Sequence, residues 1–111
     1  MIYLASPYSD PDPAVRQQRF DAVCRHAAEM MRSGDHVFSP IAHTHPIATY
    51  GLPGDWQFWE AFDRQFIELC DEVCVLMLDG WRQSEGLQAE IRIALEMGMP
   101  VRYLVANKDK P

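Results

Sequence analysis

Glu72-Val73-Cys74-Val75-Leu76-Met77-Leu78-Asp79-Gly80-Trp81-Arg82-Gln83-Ser84-Glu85-Gly86-Leu87-Gln88-Ala89-Glu90 carries, end to end, the two patterns that decide the fold. Its opening is a nearly continuous apolar run of strand length, as expected for a strand buried on both faces. Asp79 to Gln83 then supplies turn residues, and Ser84 stands where a helix N-cap belongs. Beyond it Leu87, Ile91, Ala94, Leu95 and Gly98 recur at helical spacing. Strand, loop and helix in that order make a crossover unit.

The same alternation extends outward. On the C-terminal side Pro100 to Val105 reads as a last strand, followed by a polar tail from Asn107 to Pro111. On the N-terminal side Asp55 is an N-cap candidate, and Trp59, Phe62, Phe66, Leu69 and Cys70 form the apolar stripe of a helix. Before it, His36 to Ser39 reads as a short strand ending in a long loop of Pro, His, Thr, Tyr and Gly that runs to Gly54. Pro13 to about Ser33 is a helix with Phe20, Val23, Cys24, Ala27, Ala28 and Met31 at helical spacing and Gly34 as its stop. Ile2 to Ala5 is a first buried strand that breaks at Ser6-Pro7-Tyr8-Ser9-Asp10-Pro11. Strands alternating with helices predict an α/β fold with three layers: an open, mainly parallel sheet of four to five strands, doubly wound in the flavodoxin-like manner, with helices on both faces.

Composition narrows the classes of function. The 111 residues are enough for a single domain, taken as 1–111, and 48% apolar with 23% charged is a globular balance. A formal charge of -6 disfavours polymeric nucleic acid as a partner, because backbone binding needs clustered Lys and Arg. No apolar run approaches the length of a membrane span, and no basic leader precedes Ile2, so a cytoplasmic protein without membrane partners is expected. Cys24, Cys70 and Cys74 sit in apolar segments and read as reduced, structural thiols. His43 and His45 lack further ligands at recognisable spacing, so no metal is expected. Gly-x-Gly-x-x-Gly, Walker-type and Cys-x-x-Cys patterns are missing, and no cofactor is called for. Met30, Met31, Met97 and Met99 read as core filler.

In an open α/β sheet the ligand site lies beyond the carboxyl ends of the strands, which makes Ser6 to Asp12, Pro40 to Gly54 and Asp79 to Gln83 the informative loops. Two carboxylates break the helical patterning close to that edge. At about 100° per residue Asp63 falls inside its helix's apolar arc, and Glu90 lies on the border of its own. Either alone is ordinarily a half-buried helix carboxylate satisfied by a neighbour. Together, in one partly dry cleft, they suit glycosidic cleavage, with one carboxylate attacking or stabilising the sugar cation while the other manages a proton.

Met1 to Ser9 (Met-Ile-Tyr-Leu-Ala-Ser-Pro-Tyr-Ser) and Gly80 to Glu90 (Gly-Trp-Arg-Gln-Ser-Glu-Gly-Leu-Gln-Ala-Glu) resemble the nucleoside 2-deoxyribosyltransferase superfamily, especially its small uncharacterised bacterial and phage members and the related 2′-deoxynucleoside 5′-monophosphate N-glycosidases. The resemblance implies that Glu90 is the nucleophile that takes the sugar C1′ from the base, leaving a glycosyl-enzyme for water or a second base. It implies that Asp63 protonates the departing base and that Tyr8 holds the nucleophile's carboxylate. Ser84, where relatives acting on free nucleosides tend to carry aspartate, implies a 5′-phosphate at the helix N-terminus. It is also an ordinary N-cap. Glu90 is followed by Ile91-Arg92 rather than the small pair common in transferases.

Within this frame Ser6, Ser84, Gly86, His45, Arg19 and Trp81 are the expected substrate contacts: His45 from its loop, Arg19 (with Arg16) pairing with a phosphate, and Trp81, like Trp56 and Trp59, stacking on a base. The reaction expected is hydrolysis of a nucleotide N-glycosidic bond. Base exchange between deoxynucleosides and a non-catalytic nucleotide sensor are the alternatives. Relatives of this kind assemble as homodimers or larger homo-oligomers, and the aromatic-rich helix after Asp55 is the expected interface.

Overall fold

A computed structural model describes residues 1–106. The order is β1 (Ile2–Ala5), α1 (Pro13–Arg32), β2 (Val37–Phe38), α2 (Pro40–Ala48), α3 (Trp56–Glu68), β3 (Glu72–Met77), a 3-10 turn (Trp81–Gln83), α4 (Glu85–Glu96) and β4 (Val101–Val105). The four strands form one all-parallel sheet in the order β2-β1-β3-β4. The fold class expected from the sequence is the one observed, with four strands. The expected tail, Asn107 to Pro111, lies outside the described residues.

Strand alternation sorts the side chains into two cores. Tyr3, Ala5, Val73 and Val75 face α3 and α4, packing on Ile67, Leu87, Ile91 and Ala94. Ile2, Leu4, Cys74 and Leu76 face the other way, onto Val23 and Ala27 of α1. The register Tyr3 to Val73 and Ala5 to Val75 holds β1 level with β3, so both strands release their chains at the same edge. Burial of such side chains, about 1.5–3 kcal/mol for each large one, is what fixes that edge in place.

Four expectations are corrected. Pro40 to Gly54 is not a continuous loop, because Pro40 to Ala48 is helical. Ser39 caps it, accepting from Ala42 N at 3.1 Å, and Pro40 at the first helical position gives up no intrahelical bond. The helix tolerates Pro46 near its end, and only residues 49–55 remain irregular. The second strand is shorter than His36 to Ser39, since Ser39 leaves the ladder to cap. In the helical stripes Met31, Leu69 and Leu95 turn outward, and Ala89 and Ile93 are buried apolar residues of α4 outside the expected stripe. Of the methionines, Met30 and Met99 pack on the core whereas Met31 and Met97 are exposed.

Arg19 and Gly80 join the strand-end loops. The Arg19 guanidinium donates to the carbonyls of Tyr8 (3.3 Å), Ser9 (3.0 Å) and Asp79 (3.1 Å), fastening the β1 loop to the β3 loop. Gly80 makes room: its φ is 85°, and a Cβ there would stand 2.7 Å from Arg19 Nη2.

Candidate functional site

A cavity of ≈ 1040 Å³ opens at the carboxyl edge of the sheet, walled by the β1 loop, α2, the 49–55 segment, α3 and the start of α4. This is where an open parallel sheet places its ligands. Glu90 and Asp63 both reach it from the helix layer, and both are buried, at 5% and 8% exposure. Glu90 is set about two turns into α4, whose start is fixed by Ser84 accepting from Leu87 N at 3.3 Å. Asp63 sits mid-way along α3, on the arc that the same helix uses for the buried Ile67.

The hydroxyl that holds Glu90 comes from β1. Tyr3, itself fully buried, donates to Glu90 Oε2. Tyr8, expected in that role, instead hydrogen-bonds His45 Nδ1 at 2.6 Å. The reason is the pleat: Tyr3 points straight at α4 from the strand, whereas Tyr8 lies past the Ser6-Pro7 turn and leans towards α2. In the sequence Tyr3 reads as core, because it stands inside an apolar run. An isolated buried hydroxyl needing a partner was the signal available.

The proton is shared unequally. Burial, above all, pushes Glu90 well above the ordinary carboxyl range, and the charge of Asp63 and a hydrogen bond with it push the same way, against the hydrogen bond from Tyr3. Asp63 is also raised by burial, to about 6, with its hydrogen bonds to Glu90 and Tyr3 pulling it back down. Of the two, Glu90 is therefore the group that holds its proton more tightly, and that proton is donated to Asp63. Burial, followed by the charge of Glu90, holds the Tyr3 hydroxyl protonated far into alkali.

A second polar group lines another wall. His45 Nε2 meets Gln17 Oε1 at 3.1 Å, and the Gln17 amide nitrogen donates to Asp21 at 3.0 Å, which sets the amide's orientation. His45 Nε2 is then the protonated nitrogen, and Nδ1 accepts from the Tyr8 hydroxyl. Phe20 stacks on the imidazole at 4.3 Å. Arg16 lies against Tyr8 and lowers its pKa, although burial, the larger influence, raises it.

Of the expected contacts, Ser6, Ser84, Gly86 and His45 line the cavity together with Tyr8, Asp63 and Glu90. Gly86 faces the Trp56 ring, where a Cβ would come to 3.5 Å. Trp56 and Trp59 are cavity residues as well. Two expectations fail. Arg19 is not on the wall, because its guanidinium is taken up by three backbone carbonyls, and Arg16 is the cavity's guanidinium instead. Trp81 is also absent from it: its ring leans on Tyr103 at 5.8 Å beneath the Arg82 guanidinium, on the β4 side. His43 and His45 do not converge, since His43 stacks on Phe62 at 6.2 Å. Among the described residues no group of three or more His, Cys, Asp or Glu is arranged to hold a metal.

No curated protein matches the chain. The sequence model of a family described as a domain of unknown function, DUF1937, matches residues 1–105, and the chain belongs to that family.

Proposed function

Taking membership of a family without assigned function as the starting point, we propose that the protein hydrolyses the N-glycosidic bond of a nucleoside 5′-monophosphate through a glycosyl ester on Glu90. The observation that carries this reading is the pair of buried carboxyls, brought from two helices to one cavity wall, with burial raising both and Glu90 further than Asp63. A nucleophile and an acid in one dry site have to differ in proton affinity, and burial supplies that difference.

The steps close on one proton. Substrate binding draws the Glu90 proton across to Asp63, leaving a Glu90 carboxylate held by Tyr3. Glu90 attacks C1′; the C1′–N bond breaks, its electrons go to the base, and Asp63 delivers the proton to the base nitrogen. In the second half Asp63, now a carboxylate, takes a proton from water as the water oxygen attacks C1′. Glu90 departs as a carboxylate, the sugar leaves with a hydroxyl, and the pair again holds one proton.

Phosphate recognition is assigned to the start of α4. Ser84 accepts from Leu87 N, which leaves its hydroxyl proton to donate, and the first N–H groups of a helix attract anions. Arg16 supplies a cation in the same cavity. Base exchange is the competing chemistry and differs only in what opens the glycosyl ester. The three cysteines are free, which suits a reducing cytoplasm. No described helix is long and apolar enough to cross a membrane. We assign the working form as a homodimer joined through α3 and its surroundings, where Phe58, Ile47 and Leu52 are exposed beside an apolar hollow.

The test is a panel of ribo- and deoxyribonucleoside monophosphates, with and without a free acceptor base, assayed for released base. Release without acceptor, abolished in Glu90→Gln, is the expected outcome. Release only with acceptor would replace hydrolysis by transfer, and no release from any substrate would reject the reading.

A further inference from the structure

Ser6 follows β1 directly and lines the cavity that holds Glu90 and Asp63. It is 4% exposed, and its Oγ is buried without a hydrogen-bond partner, which sets it apart from the other buried polar side chains around it. Ser39 accepts from Ala42 N, Thr44 donates to the Pro40 carbonyl, and Glu90 and Asp63 bond each other and Tyr3. A hydroxyl removed from water and left unpaired is destabilising, and buried side-chain polar atoms are satisfied in the large majority of cases.

We infer that Ser6 is the sugar-recognition residue of the site: a turn about its Cα–Cβ bond brings the buried hydroxyl out to the cavity, where it pairs with a hydroxyl of the sugar whose anomeric carbon lies at Glu90, and the substrate class is an N-glycoside bearing that hydroxyl. This inference rests on the glycosidase reading for the identity of the ligand. Chain geometry supports it. Two residues separate Ser6 from Tyr3, whose hydroxyl fixes Glu90, so the strand that positions the nucleophile also delivers Ser6 to the cavity. A sugar placed for attack at C1′ spans only a few ångströms, and its hydroxyls reach the walls nearest the nucleophile. The group that pairs with Ser6 gains selectivity from the same unpaired atom, since an analogue lacking it leaves the serine buried and unsatisfied.

The experiment compares ribo-, 2′-deoxy- and 3′-deoxynucleoside monophosphates of one base, with binding measured calorimetrically on Glu90→Gln and on Glu90→Gln/Ser6→Ala. Base release by the wild type and thermal melting of Ser6→Ala without ligand complete it. The expected result is a preference of roughly 10- to 100-fold for one hydroxylated sugar over its deoxy partner, falling to about threefold or less in the Ser6→Ala background. Ser6→Ala alone should melt at the same temperature as the wild type or higher. Retained discrimination in the double variant overturns the assignment, as does a lower melting temperature, which would make Ser6 a structural residue satisfied within the fold. Discrimination lost with Ser6 but no base released by the wild type would reject glycosidase chemistry and leave the sugar contact standing. Failure of every sugar to bind rejects both.

Discussion

Replacing Asp63 with Asn should stabilise the protein in alkali and do so progressively less in acid. In the folded chain Asp63 keeps its proton up to about pH 6, against an ordinary value of 3.8, chiefly because burial penalises its charge. Between those values the folded state binds more protons than the unfolded one, so stability falls as pH rises through that window. Above about 6 both states are ionised and the full penalty is present; below about 3.8 both are neutral and it is gone. The difference of roughly 2 pK units corresponds to about 3 kcal/mol at about 1.4 kcal/mol per unit. Water reaching the open side of the cavity reduces this, which makes about 1–3 kcal/mol the expected range.

Urea unfolding of wild type and Asp63→Asn at pH 4 and pH 8 measures it directly. Other titrating groups cancel in the difference between the two proteins, apart from Glu90, whose proton is held on partly by the Asp63 charge and which belongs to the same two-site titration. With a urea slope of about 1.5 kcal/mol per molar, the gap in midpoint should widen by about 1–2 M from pH 4 to pH 8 in favour of the variant. A gap that stays constant across this range would mean that Asp63 is not desolvated and that the two carboxyls do not share their proton unequally.

Four further outcomes follow from the same geometry. Glu90→Gln should lower base release by at least about 10³-fold while leaving nucleotide affinity within about threefold, read by single-turnover release and calorimetry. The rate should rise with pH through the first ionisation of the pair, near the value of about 6 for Asp63, and fall again at higher pH as the Glu90 proton is lost, a bell-shaped profile of kcat/KM. Tyr3→Phe removes the hydrogen bond that lowers the Glu90 pKa, so it should move the alkaline limb upward and slow release by roughly 10- to 100-fold; an unmoved limb would contradict the Tyr3 contact. Ser84→Asp should raise KM for a 5′-monophosphate by about 10-fold or more and change the free nucleoside little, and equal effects on both would place the phosphate elsewhere.

The fold was largely legible because period and punctuation agreed. The apolar run at Glu72 to Leu78 and the stripe through Leu87, Ile91 and Ala94 each report a single buried face, and parallel strands buried on both sides leave little room for another architecture. What escaped was structure made by a few local bonds. The helix from Pro40 to Ala48 rests on the Ser39 cap and a proline at its first position, and its Pro, His and Thr content carries almost no amphipathic stripe. Asp63 and Glu90 were found because a carboxylate on a buried arc violates the pattern around it. Tyr3 was missed because an aromatic in a buried strand violates nothing. Arg19 and Trp81 were misplaced for a related reason: sequence puts them near the strand edge, but whether a long side chain turns to the cavity or to backbone carbonyls depends on what the neighbouring loop presents.

The division of labour between the two tyrosines follows from the elements that bear them. A residue inside a central strand, paired on both sides, has no freedom to re-aim, so Tyr3 fixes the Glu90 carboxyl to the sheet itself. Tyr8 stands on the loop beyond and is held through side chains, the His45 ring and, behind it, Gln17. Groups that set the proton position before substrate arrives belong on the rigid part, because a displacement of the acceptor by even an ångström would undo the alignment that the proposed attack at C1′ requires. Groups that meet the ligand are better placed where a local bond can be exchanged for a ligand bond. Keeping two carboxyls close together and out of water destabilises the folded chain, and the compensation is distributed through the sheet that holds Tyr3, Val73 and Val75 in register beneath them. The stability lost at Asp63 and the reactivity assigned to Glu90 are thus consequences of the same burial.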